Sequence, residues 1–340
     1  MSKRRTPSAE IFKAIITLEE LENDLPLAEE TDDRATKLIS EKIHDLLAIL
    51  RRKAEPSLST YSSSSFNSNF IDFDTLDEKF HIVPGELLLS QPNHAERAAA
   101  ESSAQGGEVY MSSGAMYRHL DMLENLVPKR NEAGARLWID TIFFRVSAML
   151  APKGQMVLNV EHHVPPARIP VVPGQTRPSV NIGGAIDYVA LTTEPHKHEL
   201  FLRNSLFQFV KHQNTWNGLF VTQAKQEGVP LVHQIAQAVA EMYASATYPK
   251  YESEKSIIRG ALTNGHEWIF SILYLNEDDD SQGGTYAESP TIKIQVSDDY
   301  PYHVLPPGPD VVAGILAYWM ERSFVDLDEN DWFCRSRKSG

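Results

Sequence analysis

The stretch Phe220–Gly228, FVTQAKQEG, is an apolar, β-branched run that ends in glutamine, lysine and glycine. It has the pattern of a buried strand coming to the surface at a sheet edge or a cleft. Lysine is among the residues least often buried, so Lys225 reads in two ways. It is either a solvated strand end or a cation fixed in place by the needs of a site.

Upstream, the strand-like NIGGAIDYVAL (Asn181 to Leu191) holds Asp187 in an otherwise apolar run. A carboxylate there must be paired, hydrogen-bonded or bound to a metal, because an isolated buried charge is too costly. Gln223 lies two residues before Lys225 and shares its side of the strand, since strand side chains alternate with a period of two. Downstream, LVHQIAQAVAEMYASA (Leu231 to Ala246) is a clear helix. Ile235, Val239 and Met242 make its apolar stripe, while Gln234, Gln237 and Glu241 share another side. A row of polar residues beside a lysine suits the lining of a cleft.

Further out, NEAGARLWIDTIFFRVSAML (Asn131 to Leu150) is a long helix with an apolar face. QMVLNVEHHV, Gln155 to Val164, is a strand, and SIIRGALTNG with HEWIFSILYLN reads as a strand pair turning at Asn264-Gly265. TIKIQVS is a further strand, and PDVVAGILAYWMERSF closes the pattern as a helix with a proline-rich start. The core order is helix, three strands, helix, strand, which predicts an α/β domain with one sheet and a helix on each face. Residues 108–326 are assigned to this domain and 327–340 to a C-terminal tail. Residues 1–56 show helical periodicity and suit a hairpin or a protein-binding arm. Residues 57–107, which begin with a serine-rich run, are expected to be a polar linker.

The chain has 340 residues, 42% of them hydrophobic, and a formal charge of −14. It can bury a real core, and its charge argues against a broad, sequence-independent grip on nucleic acid or anionic lipid. Any phosphate contact must be local. One cysteine, Cys334, leaves no disulfide framework and no cysteine-based zinc site. No apolar run long enough for a signal peptide or a membrane span is visible. A soluble, intracellular protein is expected, cytoplasmic or nuclear, with no membrane partner.

Asp187, then Gln223-Ala224-Lys225, then a helix bearing Gln234 and Gln237, together resemble the PD-(D/E)XK nuclease superfamily, the restriction-endonuclease-like fold. FVTQAKQEG through AQAVAEMYA and RGALTNGHEWIF is similar to a fungal nuclease-like family related to the C-terminal domains of some Crinkler-type effectors. The likeness covers roughly residues 131 to 276. It implies a restriction-endonuclease-like core with a helical N-terminal extension, cutting DNA or RNA with Mg²⁺ or Mn²⁺. In that reading Asp187 and Glu132 ligate the metal together with Gln223, which stands at the family's acidic position. Lys225 is the family's lysine and Gln237 its helix glutamine. A hard divalent cation held by such oxygens polarises a phosphate and lowers the pKa of a bound water, and a nearby lysine orients that water or neutralises charge. Gln223 is the departure from the pattern, because an amide oxygen coordinates Mg²⁺ without neutralising it. Glu132 or Glu227 could supply the missing charge. The alternative is a catalytically silent nuclease-like module that binds a protein through its N-terminal helices.

Other motifs carry less. His162 and His163 are adjacent on a strand and point to opposite faces. His196 and His198 fall in a stretch expected to be a polar loop. The Gly-Gly pair in NIGGAID precedes a strand, so a phosphate-loop reading fails on context. A basic rim of Arg136, Lys211, Lys225 and Arg259 is the arrangement that would reconcile the acidic total with nucleic acid.

Overall fold

The computed structural model describes residues 71–105, 111–150, 155–168, 181–203, 216–247, 256–276 and 283–336, with Lys42 and Leu46. The chain divides into two units, Met1–Ser64 and Ser65–Gly340. In the first unit Lys42 and Leu46 are helical and exposed. The remainder of the N-terminal helical extension, and the serine-rich run with it, lie outside the described residues, as do Lys211 and the acidic run at 277–280.

In the second unit the chain runs through α1 (Phe73–Phe80), β1 (Ile82–Pro84), β2 (Leu88–Ser90), α2 (Pro92–Ala104), α3 (Ser113–Leu126) and α4 (Glu132–Leu150). Then come β3 (Gln155–Arg168), β4 (Asn181–Thr193), α5 (Pro195–Arg203), β5 (Trp216–Ala224) and α6 (Ile235–Thr247). The last elements are β6 (Ile257–Thr263), β7 (Glu267–Leu275), β8 (Gly284–Glu288), β9 (Ile292–Lys293), α7 (Gly308–Glu321) and β10 (Phe333–Arg335).

The main sheet is mixed, in the order β1-β8-β7-β6-β5-β4-β3, with β9 beside β7. β5 and β6 are parallel, as are β1 and β8, and the remaining pairs are antiparallel. Helices cover both faces, so the central strands are apolar on both. Along β4, Tyr188 and Ala190 pack with α3, α4 and α7, whereas Val189 and Leu191 pack with α1 and α6. The broad expectation of an α/β domain with helices on both faces of a sheet therefore holds. No helix among the described residues is long and apolar enough to cross a membrane.

Residues 71–105, expected as linker, are part of the domain instead. Leu76, Phe80, Ile82 and Leu88 are buried, β1 extends the main sheet, and α2 packs on α7. The C-terminal tail is corrected in the same way: β10 pairs antiparallel with β2, and Asp331, Trp332 and Phe333 are buried. His198 lies on α5, not in a loop, with its Nε2 3.3 Å from the Met156 carbonyl.

The β6–β7 turn lies where Asn264-Gly265 signals it. Asn264 Oδ1 accepts from the His266 and Glu267 N–H groups at 3.1 and 2.8 Å, and Gly265 has φ +91°. A Cβ on Gly265 would lie 2.8 Å from Trp138 Cβ. Gly265→Ala is thus expected to cost about 2 kcal/mol, from the left-handed backbone and the collision together. Urea unfolding with an unchanged midpoint would refute this.

Candidate active site

Three neighbouring strands carry a polar row that crosses the middle of β3 and β4 and the end of β5. The pairs Val160–Tyr188 and His162–Ile186 bracket Glu161 and Asp187, placing them level on β3 and β4. One step beyond the Tyr188–Thr222 pair, Gln223 comes level with Asp187 on β5. Residues directly opposite on antiparallel strands share a face. Gln223 lies two residues from Val221 and shares its face, and Val221 packs with α6, so the row turns toward that helix.

Asp187 is buried, and both of its carboxylate oxygens are engaged. Oδ2 accepts the Ala224 N–H at 2.8 Å, and Oδ1 accepts from Arg136 Nη2. Burial pushes the Asp187 carboxyl up, opposed by the Ala224 N–H, Arg136 and Lys225, while Glu132 adds to the rise. Arg136 reaches the row from the first turns of α4, a helix that Asn131 starts by accepting the Gly134 N–H on its Oδ1. Its guanidinium also donates to Glu132 Oε1 at 3.0 Å and to Glu161 Oε1 at 2.7 Å. Burial disfavours the Arg136 charge, but the hydrogen bond to Glu161 and the fields of Asp187, Glu132 and Glu161 outweigh it and raise its pKa.

Glu161 has φ +54°, a left-handed conformation that side chains seldom take. Its position inside a strand ladder shows that the surrounding pairs enforce it.

Lys225 follows the last residue of β5, and its N–H donates to the Thr263 carbonyl at 2.8 Å, which ties the strand end to β6. Its ammonium donates to Gln237 Oε1 at 2.8 Å, and Gln237 Nε2 donates to Glu241 Oε1 at 2.9 Å. The spacing of four on α6 stacks Gln237 and Glu241 on one side of the helix. An amide with an ammonium at one end and a carboxyl at the other has its orientation set by both. Glu241 is 1% exposed, and burial pushes its carboxyl up to about 8 against the pull of Gln237 and Lys225. Among the described residues, Gln223 Oε1 and Glu241 Oε2 are buried oxygens with no hydrogen-bond partner.

Asp187, Gln223, Lys225 and Gln237 thus come together where β5 ends, and Glu132 joins them through Arg136. Glu227 is half-buried two residues past Lys225. Arg259 does not belong to the rim expected for it: it is fully buried against Asp331 at 2.9 Å and stacks on Trp319. Two acidic residues were missed as site members. Glu241 was legible as the partner of Gln237 four residues on, whereas Glu161 joins Asp187 only through strand register. His162 is buried, with Nδ1 2.7 Å from Asn159 Nδ2. Among the described residues no group of three or more His, Cys, Asp or Glu side chains is placed to share a metal ion. Scans against protein-family models and against curated protein sequences find no match for this chain.

Proposed function

We propose that the core from α4 to β6 is a restriction-endonuclease-like domain of the PD-(D/E)XK type, hydrolysing phosphodiester bonds of DNA or RNA with Mg²⁺ or Mn²⁺. The observation that carries this reading is that Asp187, midway along β4, accepts the Ala224 N–H beside Lys225 where β5 ends, with Gln237 gripping the ammonium. The order is helix, two strands, the short helix α5, a third strand, helix and strand, so α5 departs from the expected run of three strands, while β5 parallel to β6 supports the reading.

The donors suit a hard cation in kind, being carboxylate and amide oxygens. The partnerless Gln223 Oε1 is a buried oxygen that a cation would satisfy. Asp187, Gln223 and Glu132 would hold the ion, which when bound polarises the scissile phosphate and lowers the pKa of a water. Lys225 places a positive charge where the phosphate becomes more negative, and Gln237 keeps that charge from swinging into solvent. Because the chain carries a formal charge of −14, substrate contacts would be local to the end of β5.

The test is incubation of labelled single- and double-stranded DNA and RNA with the protein and Mg²⁺ or Mn²⁺. Cutting is expected, and Lys225→Ala should reduce it by about 100-fold or more. Intact substrate under all conditions would sink the hydrolytic reading. A second reading then stands, that of a catalytically silent nuclease-like module whose N-terminal helices bind a protein. It is favoured by the neutral Gln223 at the acidic position and by the Arg136 contact on Asp187.

A further inference from the structure

Among the described ion pairs, Arg136 is the cation that bridges three carboxylates, those of Glu132, Glu161 and Asp187. Its contacts come from three different elements: its own helix, β3 and β4. A guanidinium presents its donors in a rigid planar fork, so a site that surrounds it with acceptors is shaped for that group. Glu161 reaches it from a left-handed backbone, a conformation held against its intrinsic cost.

On Asp187 Oδ1 the Arg136 guanidinium competes with a metal for the same oxygen. A divalent ion would take a carboxylate oxygen at about 2.0–2.6 Å and occupy the space of the guanidinium nitrogen. With Asp187 Oδ2 already held by the Ala224 N–H, Oδ1 is the oxygen at issue. Three carboxylates against one guanidinium leave the cluster anionic, so it still attracts positive charge. Gln223 points the same way: it lies level with Asp187, is 7% exposed, and has an Oε1 without a partner.

We propose that Arg136 is the resident cation of this site, occupying the Asp187 carboxylate in place of a divalent ion and thereby setting how tightly that ion binds. The inference rests on the reading of Asp187 as a metal ligand and adds that uptake of metal is an exchange of one cation for another. Nucleic-acid phosphate is a natural destination for the displaced guanidinium, because a planar fork pairs with phosphate as it does with carboxylate.

The experiment is calorimetric titration of the full chain with Mn²⁺ at one fixed pH and salt concentration. Wild type is compared with Arg136→Gln, Arg136→Lys and the double variant Arg136→Gln/Asp187→Asn, each checked for folding by circular dichroism. Arg136→Gln should bind Mn²⁺ at least about 10-fold more tightly than wild type, and the double variant should lose that gain. Arg136→Lys keeps a charge without the fork and should fall between the two. It also carries the comparison if the glutamine variant does not fold. Equal or weaker binding in the variants, a gain that survives Asp187→Asn, or no Mn²⁺ binding by any of them would overturn the proposal. These outcomes are read from affinities alone, so they stay separate from the cutting assay that decides the hydrolytic reading.

Discussion

Asp331→Ala is expected to remove about 3–5 kcal/mol of stability, enough to lower the melting temperature by on the order of 10 °C. The carboxylate is 1% exposed and has three partners. It accepts from Arg259 Nη1 at 2.9 Å, from Trp319 Nε1 at 2.8 Å and from the Trp332 N–H at 2.8 Å. Removing it leaves the Arg259 guanidinium, itself fully buried, with the Val325 carbonyl and the Trp319 face but no counter-charge. An orphaned buried charge costs far more than the pair contributes, which is why truncating one member is severe. Asp331→Asn keeps an acceptor for Trp319 and should cost less. Thermal and urea unfolding would measure both, and a loss below about 1 kcal/mol for the alanine variant would contradict the assignment.

The second large effect lies in Glu241. Its carboxyl is fully inside α6's packed face, and burial raises it from 4.5 to about 8. The folded protein therefore keeps a proton that the unfolded chain releases near pH 4.5. Between those two values each unit of pH favours unfolding by about 1.4 kcal/mol. Stability from this group is thus highest below about pH 4.5 and falls as the pH rises toward 8, by on the order of 4 kcal/mol. Glu241→Gln keeps the shape and an acceptor for Gln237, and it cannot ionise. It should flatten this decline and leave the variant more stable than wild type at pH 8. Urea unfolding at pH 5, 6.5 and 8 checks the result. Parallel pH profiles for the two proteins would mean that Glu241 does not hold the raised carboxyl.

The sheet centre and α6 were legible in the sequence because burial on both faces writes continuous apolar runs. A lone carboxylate inside such a run, Asp187, stands out for the same reason. The lysine at the strand end and the polar side of the following helix were visible through the periods of two and 3.6 residues. Arg136 was legible only as a cation, because its contacts with Glu161 and Asp187 cross 25 and 51 residues of chain. Which strand positions face each other depends on register, and register is set by the whole sheet. Residues 71–105 were misread for a different reason. β1 and β2 are three residues each with a single buried position, and α2 is rich in alanine and serine. Its proline at the helix start was a usable signal.

β1 is joined only to β8, and β2 only to β10, among the described strands. While the protein is being made, Ile82 and Leu88 have no ladder to join until Gly284 and Arg335 have left the ribosome. Such long closures make assembly late and leave greasy edges open meanwhile. A premature stop ahead of Asp331 would therefore release a sticky, half-zipped product, not a shorter working copy of the domain.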